Sequence, residues 1–502
     1  MQRRSFLKLI SGLAVMPGLA EGGAGGSTFS TFEKFRNTVL INSSQFFYID
    51  ELKSAFVRCS LADSLFSKEY LGRRHYFKLY ESGQFVSVLS GGRIDRRLGS
   101  SLQKIVDGHR ESGAQSVLNL HGMEFELHGP LVLDGVRLRN VSFILASVDA
   151  RVVLKGSRPG LDDFVIKELG ANHGPYTERG GCILLHQSTG AMIRSGVIWA
   201  GSRRAGVLCI SSAVNTKIMS TRFYCAWGVL FDDMHNRYVE RRDYGCNGMG
   251  HGLIISACDF FGDSSGNGFG GDAIEINAPV HGFRDLLVED TVVHRAYTSK
   301  GVGMGLGVSS CTGVKVQRCY FGGTSTPAGA VHFEWCADVF VTGCTITKSL
   351  VGISIGMCRN VLVSSTEVFD TEDTCLQSFN VFGSGSLETT HPGIPSRGVV
   401  FDQVRFSPTR RKVAGRRVIA LLSKCDIKFL NCTFFAPGKK PNKLIRGVRG
   451  VSPLDGRLSF ESCVFNCLCD SLAEVHNFLL AQGFRIDRFA KSEVKYATST
   501  TG

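Results

Sequence analysis

The sequence predicts an all-β fold, a right-handed parallel β-helix with helical caps at its N- and C-terminal ends. Three observations predict it. Between Gly271 and Arg359 apolar residues fall at alternate positions in four successive segments: G-D-A-I-E-I-N, G-V-G-M-G-L-G, G-A-V-H-F-E-W and V-G-I-S-I-G-M. The pairs Ile274/Ile276, Met304/Leu306, Val331/Phe333 and Ile353/Ile355 give the period of two that marks strands with one buried face. Each segment is then followed by a second apolar run (L-L-V, V-K-V, V-F-V, V-L-V), so a two-strand unit recurs about every 22 to 30 residues. Third, cysteines keep fixed places in the unit. Cys311, Cys336, Cys358 and Cys425 precede the second run, while Cys258, Cys319, Cys344, Cys432 and Cys463 follow it. A ladder of small buried thiols inside stacked coils accounts for both columns. The total of 17 cysteines is odd, which argues against a complete disulfide framework.

Taken in order, residues 1–26 read as a signal and linker. Arg3 and Arg4 stand ahead of a short apolar stretch, with small residues near Ala20 and Ala24, as in a twin-arginine leader. This predicts export of the folded chain to the periplasm, or beyond it, by the twin-arginine machinery. The leader is too short for a mature anchor, and no later stretch offers about 18 uninterrupted apolar residues, so no integral membrane segment is expected in the mature chain. Residues 27–99 are rich in Phe and Tyr and lack the coil pattern. From Ser100, Leu102, Ile105 and Val106 fall on one helix face, and S-V-L-N-L-H-G-M-E-F-E-L-H-G-P-L-V-L then alternates as strand. That helix resembles the plug at the open end of pectate-lyase-like β-helices, where it also shields edge strands. Coils continue over residues 100–470, with long loops at Asp233–Gly250 and Phe261–Gly271 that would wall a binding face. L-A-E-V-H-N-F-L-L from Leu472 predicts a C-terminal helical cap within 471–502. One long solenoid accommodates 502 residues without splitting its core.

The candidate chemistry lies on the outer side of those coils. If Ile274 and Ile276 point inwards, Glu275 and Asn277 point outwards, as do His332 and Glu334 beside Val331 and Phe333. Gly305 and Gly307 of the intervening coil then form a floor on which a sugar could rest. Residues two coils apart lie roughly 9.6 Å from one another at a strand spacing of about 4.8 Å. Aligning the coils on their second runs instead shifts the Gly301 coil by two residues and places Ser309 beside Glu334, with every residue still on the same side. Two carboxyl groups about 6.5 to 9.5 Å apart suit inverting glycoside hydrolysis. Glu275 and Glu334 are the expected pair, with His332 tuning Glu334, binding substrate, or serving as base in a β-elimination. Asp272 follows a Gly-Gly turn, where its carboxylate either bonds backbone or joins the site.

The net charge of +13 favours an anionic partner, and no nucleic-acid-binding module accompanies it. For an exported chain that partner is an acidic polysaccharide. Asp232, Asp233, Asp259 and Asp263 match no compact calcium loop, and His251, His281 and His294 have no metal-ligand spacing, so no metal or cofactor is expected.

The order G-D-A-I-E-x-N at Gly271, a Gly-rich coil at Gly301 and H-x-E at His332 resembles the colanic acid biosynthesis proteins of the WcaM type. The likeness covers about 90 residues closely and is architectural elsewhere. It implies a pectate-lyase-like fold and a periplasmic role with exopolysaccharide, with Asp272, Glu275, Asn277, His332 and Glu334 as candidate site residues. Ile276 stands where that pattern expects an aromatic residue. The leading expectation is a glycoside hydrolase acting on an acidic exopolysaccharide. A polysaccharide lyase, a non-catalytic polysaccharide-binding scaffold and a phage-tailspike ancestry are the alternatives.

Overall fold

The computed structural model describes five strands between residues 26 and 80, a helix at 98–111, and the coils between 117 and 495. Residues 1–25, 30–45, 81–97, 112–116, 169–179, 233–249, 263–270, 295–302, 380–395, 409–416, 436–444, 448–456, 496–502 and some shorter stretches lie outside the described residues. The leader with Arg3 and Arg4 is among them.

The chain divides into two compact units, Met1–Arg93 and Ile94–Gly502. The first holds a five-stranded sheet whose first two strands run parallel and whose others pair antiparallel. The second unit is a parallel β-helix. Each full coil contributes three short strands, and each strand pairs in parallel with its counterpart in the next coil. One coil, for instance, runs through Val331–Glu334, Ala337–Thr342 and Thr345–Ile346. These three positions define a first, second and third sheet along the rod.

The alternating apolar residues line the interior. Ile274, Ile276, Leu306, Val331, Phe333 and Ile353 are each wholly buried. Toward the C-terminal end the core is a phenylalanine ladder. Phe401, Phe429, Phe460 and Phe489 stack at 5.4, 5.1 and 4.8 Å, and Phe406, Phe434 and Phe465 at 5.3 and 5.0 Å. Ring spacing therefore follows the coil repeat of about 4.8 Å.

The cysteine columns have a stereochemical reason. At the corner between second and third sheets, Ala257, Asp290, Arg318, Gly343, Ser365, Gln403, Asn431, Ser462 and Lys491 adopt φ between 45° and 63°. The residue after each bend is Cys, Thr, Ser or Val, and the polar ones donate back to the carbonyl two residues earlier. Thr291 Oγ1 reaches Glu289 at 2.8 Å, Cys319 Sγ reaches Gln317 at 3.3 Å and Cys432 Sγ reaches Leu430 at 3.2 Å. A small donor thus satisfies a carbonyl that the left-handed bend turns out of the sheet. Cys336 and Cys358 do the same after Trp335 and Met357 at the preceding corner. The thirteen cysteines whose side chains are described are all free and buried.

The N-terminal helix Leu98–Glu111 buries Leu102 and Val106, and Gln103 of that helix both donates to Val132 O and accepts from Val132 N. It thereby ties itself to the first coil. The C-terminal helix Leu472–Ala481 is not the end of the rod: strands Arg485–Ala490 and Glu493–Lys495 follow it and pair with Arg457–Glu461 and Val464–Asn466. The coils therefore continue past Cys469, and the helix is an insertion before one more partial turn. Among the described residues no helix is long and apolar enough to cross a membrane.

Candidate functional site

The outer side of the first sheet changes character along the rod. In its early coils the outward column is Val132, Val153, Leu184, Leu208 and Leu230, paired rung to rung. These residues form a second apolar layer together with Ala205 and Trp227. At the next rung Leu230 pairs with Glu275, and the column goes on through Gly307, His332, Ser354 and Gln377. Five apolar rungs thus give way to a polar stretch, and the candidate site begins there.

The neighbouring outward column runs Asn277, Ser309, Glu334 and Gly356. The register is therefore the one obtained by aligning the second apolar runs. Gly307, not Gly305, stands between Glu275 and His332, and Ser309 stands between Asn277 and Glu334. A side chain on Gly305 would run into Phe321 and the Ala330 carbonyl, so Gly305 belongs to the packed corner and lines no groove. A Cβ on Gly307 would meet the Met304 thioether at 2.7 Å and lie 3.6 Å from Asp272 Oδ2. The floor is a single glycine roofed by Met304.

Glu275, Asn277 and Glu334 are half-buried on this face. His332 is not the exposed residue that alternation predicts: it is 6% accessible. Alternation places it on the outer side of the sheet, but that side is covered here. Its Nδ1 lies 3.1 Å from the Ala328 carbonyl, and its Nε2 lies 3.7 Å from Glu334 Oε2. With Nδ1–H donating to the carbonyl, Nε2 is the nitrogen presented to the carboxylates.

Asp272 is also buried, at 9% accessibility. Its Oδ1 accepts the Met304 amide of the next coil, so the backbone it bonds is not its own turn. Burial raises its pKa from 3.8 to about 6, opposed by the Met304 hydrogen bond and by the nearby His332. Met304, Gly307 and Asp272 thus converge beside the imidazole. Glu275 and Glu334 occupy adjacent columns two rungs and two residues apart, roughly 12 Å between backbones, a gap that their side chains can shorten.

Ser354 and Gln377 extend this face by two rungs and were not singled out from sequence. Both are buried, at 0% and 6%, and among the described residues Ser354 Oγ finds no partner. The switch of a once-apolar column to Ser and Gln is the signal that finds them. Among the described residues no three His, Cys, Asp or Glu side chains cluster as metal ligands.

No known family model matches the chain, and neither does any curated protein sequence. Solved structures do. The mannuronan C-5 epimerase AlgE6 A-module of Azotobacter vinelandii is similar at 10% identity and TM-score 0.40, covering 80% of this chain and 94% of its own. A thermostable α-1,3-glucanase of Streptomyces thermodiastaticus is similar at 11% identity and TM-score 0.45, covering 89% of this chain and 83% of its own. The surface protein and adhesin PfbA of Streptococcus pneumoniae is similar at 11% identity and TM-score 0.43, covering 81% and 96%. Two are named as enzymes and one as an adhesin. Likeness at this level assigns no residue of this chain a role.

Proposed function

We propose that this chain is a polysaccharide-processing enzyme that cleaves an acidic exopolysaccharide by glycoside hydrolysis on the outer face of its first sheet. One observation carries the reading. A buried carboxyl with a raised pKa, Asp272, sits over Gly307 beside His332, while two half-buried carboxylates, Glu275 and Glu334, share the same face. Carboxyl groups held in unlike environments divide the work of acid and base. Asp272 keeps its proton into mildly acidic solution and serves as general acid toward the leaving oxygen. Glu275 or Glu334 activates water, and His332 holds the proton network in register through Ala328.

The position of His332, with Nδ1 beside the Ala328 carbonyl and Nε2 3.7 Å from Glu334, supports a second reading. A neutral imidazole there suits abstraction of the proton at the carbon next to a uronate carboxylate, hence β-elimination. The products decide between the two. Hydrolysis yields saturated reducing ends, whereas an unsaturated uronate absorbing in the ultraviolet would replace the first reading with the second. Polymer bound but never shortened would reduce the chain to a scaffold.

The paired Arg3 and Arg4 ahead of an apolar stretch and the resemblance to colanic acid biosynthesis proteins support a proposed location in the periplasm, during exopolysaccharide assembly. Substituting Arg3 and Arg4 with lysine should retain the chain in the cytoplasm; undiminished export would remove that part of the proposal.

A further inference from the structure

The second sheet also turns a face outward, and its composition differs from the site above. One column there runs Ile254, Leu287, Lys315, Phe340, Leu362 and Val400, paired rung to rung. Phe340 is 43% exposed, and among the described residues no ring or cation covers it. A parallel column carries Arg284, Thr312, Ala337, Arg359 and Arg397 in register. Arg359 and Arg397 stand on adjacent rungs, about 4.8 Å apart at the backbone. They line a hollow with Thr312, Asp338 and Asn360.

In-register guanidinium groups repel one another. Among the described residues, however, no ion pair engages Arg284, Lys315, Arg359 or Arg397. Asp338, the carboxylate in the hollow, instead accepts a hydrogen bond from Asn360 at 3.1 Å. Four exposed cations thus stand with two carboxylates, Asp285 and Asp338, around an apolar stripe with one open ring, while Glu289 and Asp402 of the next outward column are engaged by Gln317 and Arg318 and by Asn431. A surface with uncompensated positive charge beside an uncovered ring is complementary to a ligand that carries both anions and apolar faces.

We propose that this face of the second sheet is an accessory binding surface for a segment of acidic polysaccharide, separate from the candidate site on the first sheet. The sugar ring lies on Phe340 and its flanking aliphatic residues, and the carboxylates reach Arg359 and Arg397. A single-stranded nucleic acid fits less well, because it needs successive aromatic platforms and the column offers one ring between Lys315 and Leu362. The surface holds polymer near the rod and needs no bond cleavage, so it stands whether or not the first-sheet site is a hydrolase.

Affinity electrophoresis through gels containing polygalacturonate, alginate or dextran tests it. The full chain should be retarded by at least one acidic polymer and not by neutral dextran, with retardation weakening as salt rises. Arg359→Gln with Arg397→Gln should weaken that retardation about tenfold. Phe340→Ala should weaken it severalfold. All three positions of the face are exposed, and unchanged thermal melting would show that the variants fold. The proposal falls if neither acidic polymer retards the wild type, if the variants bind as the wild type does, or if single-stranded DNA is retained in preference. It falls as well if sedimentation shows a dimer that Phe340→Ala dissociates, since a second copy would then occupy the face.

Discussion

Asp272→Asn separates stability from function at one position. The asparagine keeps an oxygen to accept the Met304 amide and removes the ionisable group. In the folded chain burial raises the Asp272 pKa from 3.8 to about 6, so the folded state binds the proton more tightly than the unfolded chain. The contribution of the neutral carboxyl is complete below pH ~4 and is lost as pH rises through 6. About two pKa units correspond to about 3 kcal/mol of stability surrendered across that window. Asp272→Asn should abolish this part of the pH dependence and, near pH 7.5, leave the protein as stable as the wild type or more so. Urea denaturation at pH 4.5 and 7.5 measures it. If Asp272 is also the general acid, polymer cleavage should fall by about 10² to 10⁴ despite the retained stability. A wild-type stability difference between the two pH values that persists in Asp272→Asn would refute the assignment of the shift. Full activity in a stable Asp272→Asn would refute the catalytic role.

Three further outcomes are expected. Gly307→Val should displace Met304 and occupy the space between Glu275 and His332, lowering cleavage at least tenfold while retaining the fold; unchanged turnover would mean that substrate does not lie over Gly307. Phe429→Ala, which breaks stacking contacts to Phe401 and Phe460 inside the rod, should cost about 3 to 5 kcal/mol in urea denaturation, and a loss below 1 kcal/mol would contradict the packed ladder. Burial pushes the thiols of Cys182, Cys258, Cys375 and Cys425 up to about 12, so they should resist alkylation at pH 8 until denaturant is added; rapid native labelling of these four, located by mass analysis, would contradict their burial.

Much of this architecture was legible because each coil repeats one simple constraint. Ile274/Ile276 and Val331/Phe333 alternate because one face of each strand must be dry, and that alone gives the solenoid and the inward residues. The same alternation could not choose between Gly305 and Gly307 opposite Glu275, since the turn before Leu306 sets the register and its length differs from those around it. Nor could it reveal that His332 is covered: period two names the side of a sheet and says nothing about what packs over it. Ser354 and Gln377 escaped notice because they bear no charge, and only rung-to-rung pairing places them above His332. The thiol columns could be located from spacing, whereas their reason, a donor returned to a carbonyl at a left-handed bend, needed backbone angles. Helix Leu472–Ala481 looked terminal because the strands after it are short and rich in charge.

In the proposed mechanism Asp272 acts with Glu275 and Glu334, two rungs apart on one face, to cleave an acidic polymer. Incubation of the mature chain with the exopolysaccharide of its own producing cell, followed by sizing and mass analysis of the products, tests it most directly. Progressive shortening with saturated reducing ends is expected, lost in whichever of Glu275→Gln and Glu334→Gln removes the base, while both variants still bind the polymer. Shortening that proceeds unaltered in the two variants, or a polymer left at full length by the wild type, would contradict it.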